Sequence, residues 1–388
     1  MFKRIVVAVA LLVLLSGCST VKGWFGKDKD DGKPTEPAEL VDFTETANVS
    51  ELWSVNAGKG EDRLGVRQGP AVADGRVYAA AVKGGVRAFD LQSGNEAWHY
   101  ESDARLTGGP GAGDGLVVVG SLDGEVFALD AATGAEKWQA KVPNEVIAAP
   151  SIGQGLVLVR SNDGRVTAFD ASNGERRWFY NNDLPSLTVR GNAPVTMGPG
   201  VAFVGNDDGT LSAMGTNDGR LLWSQVVGVP DGRTELERMA DVDGAAVLDG
   251  TTLFASSYKG ESVAIDGPSG RTLWTRENGG AGGLGLASGS VVVSDPGGTV
   301  WALDKTSGAP MWSSPSLVRR SLTAPAVQGD YAVVGDFDGY VHWLRLDNGE
   351  LAARERVGRN PVRAQPVVAD GVLIVQNVDG KLTAFRLQ

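Results

Sequence analysis

The stretch LDGEVFALDAATGAEKW (122–138) sets the pattern for most of the chain, because it recurs. Related copies read NDGRVTAFDASNGERRW (162–178), KGESVAIDGPSGRTLW (259–274) and GGTVWALDKTSGAPMW (297–312). Within each copy the two glycines lie ten residues apart, and the Trp follows fourteen after the first. Gly124 and Gly164 stand 40 residues apart, the period of an array in which each copy is one supersecondary unit.

Each residue type in the copy has a physical task. Gly124 after Asp123 suits the positive φ of a two-residue hairpin turn, so two antiparallel strands meet there. Asp130 can accept hydrogen bonds from backbone N–H groups of the next turn, and Gly134 takes the left-handed position that Thr133 would resist. Val126 and Ala128 alternate with Phe127 and Leu129, giving the strand two different faces. Trp138 offers a large apolar surface and one N–H donor for packing against a neighbouring sheet. Another strand pair precedes each hairpin, as around Ile152 and Leu156–Val159, so the unit is a four-stranded antiparallel sheet.

The first hairpin glycines fall at Gly84, Gly124, Gly164, Gly209, Gly260, Gly298, Gly339 and Gly380, which makes eight copies. The matching Trp falls at Trp98, Trp138, Trp178, Trp223, Trp274 and Trp312. In the seventh copy Ala353 holds the Trp position and Trp343 the usual Ala position. The eighth copy ends at Gln388, before its Trp could occur, whereas Trp53 near the start lies in a strand with no hairpin before it. These facts predict an all-β, eight-bladed β-propeller over 47–388, built of four-stranded antiparallel blades. The N-terminal strand closes the last blade, and radial packing protects the sheet edges.

The first residues read as a targeting signal over 1–17. Lys3 and Arg4 form a basic start, Ile5 to Leu15 an apolar run too short to span a bilayer, and Leu15-Ser16-Gly17-Cys18 a cleavage region. Cys18 is the single cysteine, so no intramolecular disulfide exists. Residues 18–46 are polar, contain Gly and Pro, and lack an apolar period; they read as a flexible tether. The net charge of −11 argues against generic nucleic-acid binding. Two histidines, His99 and His342, are too few for a His-based metal site and have no triad context.

Ala128, Asp130, Thr133, Gly134 and Trp138 resemble the repeat motif of quinoprotein (pyrroloquinoline quinone) dehydrogenase-like propellers. That motif speaks for fold and not for activity. The Ser16-Gly17-Cys18 junction resembles a bacterial lipoprotein signal, which implies acylation of Cys18, and Ser19 resembles the pattern sorted to the outer membrane. Asp90, Asp130, Asp170, Asp266 and Asp304 recur with the repeat and are assigned to turns, not to a Ca²⁺ site. The adjacent-cysteine disulfide of the quinoprotein alcohol dehydrogenases cannot form here. Gly279 to Gly283 lacks the strand–helix context of a phosphate loop.

What departs from the repeat carries the function. The distance from each Trp to the start of the next blade is 12 residues for Trp98 to Pro110 and 13 for Trp312 to Pro325. It grows to 16 from Trp178 to Pro194 and to 22 from Trp223 to Ala245. The two enlarged connections use the same kind of link on consecutive blades, so they emerge side by side on one face. Apolar residues beside opposite charges there suggest a protein-binding surface. The stretches SLTVRGNAP (186–194) and TELERMADVDG (234–244), with the signal and the eight repeats, resemble the BamB family of outer-membrane β-barrel assembly lipoproteins over essentially the whole chain.

That resemblance implies a non-catalytic scaffold on the periplasmic face of the outer membrane. It would bind the periplasmic POTRA domains of BamA, sit beside other assembly-machinery subunits and present surface to unfolded outer-membrane proteins. Carried over residue by residue, the contact positions are Leu187, Val189 and Arg190 in the first loop and Asp241 and Asp243 in the second. It implies no catalytic residue, cofactor or metal. A periplasmic quinoprotein-like enzyme or a ligand-binding propeller is the alternative. Arg319-Arg320 and Arg354, Arg356 and Arg359 read as solvated surface clusters, with contact to other partners as the alternative.

Overall fold

The computed structural model describes residues 36–60, 64–189, 193–280 and 282–388. The signal peptide, Cys18 and Arg190 lie outside the described residues. Eight four-stranded antiparallel sheets follow one another along the chain, and no helix interrupts them among the described residues. Blades one to seven span 71–100, 106–141, 151–180, 196–226, 247–276, 284–314 and 326–356. Blade eight takes three strands from 367–387 and its fourth, outermost one from Val49–Asn56, which pairs antiparallel with Lys381–Leu387. The closure expected from Trp53 is therefore present: Trp53 stands opposite Ala384, as Trp138 stands opposite Ala128.

The core lies between blades, not at one centre. Tyr78, Ala88 and Trp98 of blade one, for example, pack with Val117, Phe127 and Leu129 of blade two. Each repeat Trp also fastens its blade to the next. Trp138 donates its indole N–H to Ala171 O at 2.9 Å, Trp178 to Thr216 O at 2.7 Å and Trp312 to Leu346 O at 2.7 Å. The second repeat glycine is needed twice over. Gly134 has φ +75°, and a Cβ there would stand 2.6 Å from Cε3 of Trp98. Replacing such a Trp by Ala is expected to cost about 3–5 kcal/mol.

Blade seven inverts the large–small pair. Trp343 is fully buried opposite Ala353, meets Phe385 of blade eight edge-on, and donates to Gln328 Oε1 at 2.8 Å. Gln328 Nε2 in turn donates to Gly371 O and Phe385 O, so an amide replaces the indole as the fastening to the next blade. The repeat aspartates sit in turns as expected. Asp130 Oδ1 accepts from Ala132 N, Thr133 N and Thr133 Oγ1 at 2.9–3.1 Å, and Asp90 and Asp304 do the same in their turns.

Two expectations change. The last part of the supposed tether, from Pro37 to Thr46, lies against blade seven. Ala38 N donates to Val318 O at 3.0 Å, Thr46 N and Ala47 N donate to Ala352 O, and Leu40 is half-buried against the core between blades six and seven. The apolar side chains of Leu40 and Phe43 give this segment something to bury, which its polar composition obscures.

The second change concerns the arginines. Arg320, expected in solvent, is buried and donates through Nε to Asp336 Oδ2 at 2.7 Å, through Nη2 to Asp338 Oδ2 at 2.9 Å and through Nη1 to Ala38 O at 3.0 Å. His342, fully buried, stands 3.0 Å from Asp336 Oδ2. The carboxylate can only accept, so Nε2 carries the proton, leaving Nδ1 to accept from Arg354 Nε at 3.4 Å. Arg354 stacks over Phe43 and donates to Val41 O. This network holds the docked segment.

Candidate partner-binding face and the carboxylates beneath it

The two enlarged connections flank blade four, as their spacing predicts. The second folds on itself first. Glu237 N donates to Thr234 Oγ1, while Glu237 Oε2 accepts from Arg233 N and Thr234 N, a reciprocal capping box around one turn. Leu236 projects from that turn and is 65% exposed. The following residues descend into the ring. Val242 N donates to Asn206 O, and Gly205 leaves room for the Val242 side chain, since a Cβ there would come within 2.6 Å of Val242 Cγ1. Asp241 O accepts from Tyr258 N, which ties the loop to blade five.

The first connection leans on the second. Val189 N donates to Asp241 Oδ1 at 2.7 Å, which joins the two loops beneath the surface. Leu184 and Leu187 stay exposed on the first loop, with Val229 and Leu236 on the second. The outer strand of blade four between them, Leu221–Val226, exposes Leu221, Leu222 and Val226. Val226 is the one of these that leads directly into the second loop, and exposed aliphatic residues on and beside two adjoining loops mark a candidate interaction site.

Of the expected contact residues, Leu187 is exposed and Val189 half-buried. Asp241 and Asp243 are not surface groups: they are 0% and 4% exposed. This corrects their assignment as side chains presented to a partner. They lie under the face, and Asp241 holds the first loop by its hydrogen bond to Val189. The ADVDG run turns inward because Val242 must fill the space beside Gly205, which carries both neighbours down with it.

Asp207 and Arg160 complete the buried group, joined by an ion pair of 2.7 Å. The compensation is incomplete. Asp241 Oδ2, Asp243 Oδ1 and Arg160 Nη1 are buried without a hydrogen-bond partner among the described residues. Burial pushes the Asp243 carboxyl up to about 7, with Asp241 adding to the rise against Arg67 and Arg160. Burial likewise raises Asp241, against the hydrogen bond from Val189. Asp243 also borders a cavity of about 230 Å³ lined by Leu64, Arg67, Ile147 and Val189, and a second of about 160 Å³ reached by Pro110, Pro194 and Arg363. Arg160 was not singled out from the sequence, although it had a signal: it ends a strand where other blades place Ala80, Gly205, Ser256 or Gly335.

Comparison with known proteins agrees with this anatomy. The family model described as outer membrane protein assembly factor BamB matches residues 44–106, 82–314 and 297–388. The outer membrane protein assembly factor BamB of Xanthomonas campestris pv. campestris is 62% identical, the match covering 100% of this chain and 98% of that one. The crystal structure of BamB from Moraxella catarrhalis superposes with a TM-score of 0.80 at 27% identity, over 87% of this chain and all of the other. A quinohemoprotein alcohol dehydrogenase from Comamonas testosteroni gives a TM-score of 0.68 at 16% identity, over 90% and 78% of the two chains. That last likeness is one of fold alone.

Proposed function

From the membership of this chain in the BamB family of outer membrane protein assembly factors, to which it belongs, we infer a non-catalytic scaffold that docks the periplasmic POTRA domains of BamA on the face flanking blade four. The observation that carries the docking site is the joining of the two inserted loops by the Val189–Asp241 hydrogen bond, with Leu184, Leu187, Val229 and Leu236 exposed around it. Acylation of Cys18 holds the protein on the periplasmic side of the outer membrane; two or more acyl chains are needed for stable anchoring. Leu187 and Leu236 supply apolar anchors, Val189 and Asp241 fix the loop that carries the first of them, and Arg190 adds a charge to that loop. The outer strand Leu221–Val226 of the same blade has a free edge and exposed apolar side chains that suit an added amphipathic strand from an unfolded outer-membrane protein.

The test is capture of the periplasmic domains of the cognate BamA by the full-length lipoprotein in detergent. Leu187→Asp, Arg190→Glu and Asp241→Arg are run beside the parent, with circular dichroism to show that the propeller survives. Loss of capture in the variants alone puts the partner on these loops. Failure of the parent to capture BamA at low and moderate salt would overturn the partner, and undiminished capture by all three variants would move the site elsewhere on the ring.

A further inference from the structure

Asp207, Asp241 and Asp243 each bring a carboxylate oxygen into one group, these atoms lying within 4.8 Å of one another. Their side chains are nine-tenths buried or more, at 6%, 0% and 4% exposure. Carboxylates crowd together in an interior only where something positive repays their desolvation. Arg160 does so for Asp207, through Nη2 to Oδ1. Asp241 and Asp243 are left with one oxygen each that has no hydrogen-bond partner among the described residues.

Three features narrow what would fill the gap. Oxygens within 4.8 Å of one another fall inside the separation that two ligands of one ion can span at about 2.4 Å each, within the range typical of Ca²⁺–oxygen bonds. The ligand set holds carboxylates alone among His, Cys, Asp and Glu, which favours hard cations over Zn²⁺ or copper. Asp243 borders the cavity of about 230 Å³, which gives an ion a way in and leaves room for the waters that complete its coordination.

We propose that Asp207, Asp241 and Asp243 bind a hard divalent cation of the Ca²⁺ class, seated beneath the two inserted loops. The unpartnered oxygens of Asp241 and Asp243, which Arg160 and, for Asp243, Arg67 offset only in part, supply negative charge to balance the ion. Asp241 is bonded to Val189 N at the same time, so the ion stiffens the first loop from below. For that consequence alone, the proposal rests on the reading of the loops as a docking face.

The experiment takes the full-length protein in detergent, stripped of metal with a chelator, and titrates it with CaCl₂ by calorimetry, following the melting temperature in parallel. The expected result is saturable uptake of one Ca²⁺ per chain and a melting temperature that rises with Ca²⁺. Both effects are lost in Asp243→Asn and in Asp241→Asn, and kept in Asp163→Asn, a turn residue outside the group. Because an amide in place of a buried carboxylate relieves repulsion, Asp243→Asn should melt no lower than the parent in chelator, which separates lost binding from lost folding. The proposal is overturned if Ca²⁺, Mg²⁺ and Mn²⁺ all leave the parent unchanged at several millimolar, the weak end of known Ca²⁺ sites. It is equally overturned if Asp243→Asn binds like the parent, in which case the carboxyls share a proton. Capture of BamA is scored separately: cation uptake without capture keeps the site and sinks the docking face, and capture without uptake does the reverse.

Discussion

Two buried ionic groups in the same ring are built to opposite standards. Under blade seven, Asp336 has every oxygen in use: Oδ1 accepts from Asp338 N and Tyr340 N, and Oδ2 from Arg320 and His342. Burial alone would raise its pKa, yet the hydrogen bonds from His342, Arg320 and Tyr340 N hold it below the ordinary carboxylate value. In that group only Arg354 Nη2 is left without a partner among the described residues. Under blade four, three carboxylates share one fully engaged arginine bond, and the pKa of Asp243 moves the other way. A saturated group is a fastening, here of residues 37–46 to the ring. An unsaturated one carries stored electrostatic cost, which a ligand or a proton can relieve.

The contrast can be broken in three places. The largest effect is expected at Arg320→Ala, which leaves Asp336 charged and buried with half its compensation gone. A loss of about 3–5 kcal/mol in urea-unfolding stability is expected. Limited proteolysis should also begin to cut within 37–46, because Ala38 O loses its donor. A loss below about 1 kcal/mol with the segment still protected would mean that the fastening lies elsewhere.

Next comes pH, where the two groups must differ in sign. The folded pKa of Asp243 lies above its unfolded value, so the native state holds the proton more tightly. Its contribution, in chelator, is present at low pH and is lost as pH rises from about 4 to about 7. Every tenfold gain in proton affinity on folding is worth about 1.4 kcal/mol, and Asp243→Asn should flatten this slope. Asp336 has a lowered folded pKa, so its contribution is lost as pH falls below the ordinary carboxylate range. Burial lowers His342 despite Asp336, so the neutral imidazole adds stability above its ordinary value that fades below it. A parent whose stability in chelator rises steadily from pH 4 to 7, and does so equally in Asp243→Asn, would remove the contrast.

The smallest effect on the fold, and the sharpest on function, belongs to Leu187→Asp. An exposed loop leucine should change stability by less than about 0.5 kcal/mol. As an apolar anchor of the docking face it should weaken BamA binding at least about tenfold, or about 1.4 kcal/mol. Surface plasmon resonance and thermal melting on one preparation give both numbers. Equal losses in both would reduce Leu187 to a structural residue.

Most of the ring was legible because its rules are local. A glycine ten residues after another, an Asp before the turn and a Trp after it each do one nearby job, and the period multiplies the signal. The Trp343–Ala353 exchange was visible as an exchange, but its partner Gln328 was not, since nothing in a strand ending AVQ marks an amide that will span two blades. The inserted loops were legible as insertions, and their emergence side by side followed from their spacing, whereas the Val189–Asp241 bond that joins them did not. The depth of Asp241 and Asp243 was not, because it depends on Val242 filling the space beside Gly205, a contact between distant segments. Arg320 and Arg354 misled for the same reason: clustered arginines look solvated until Asp336 and Phe43 are brought to them. Asp207 hid inside an ordinary NDDG turn.

The docking of residues 37–46 changes the mechanics of suspension. The segment joins the ring at residue 37 rather than 46, against blade seven, three places around a ring of eight from blade four. Under the anchoring and docking proposed above, load would enter the ring at blade seven and the partner would bear on it at blade four. A ring held in that way would work as a strut, carrying force between blade seven and blade four through the packed interfaces of the blades between them.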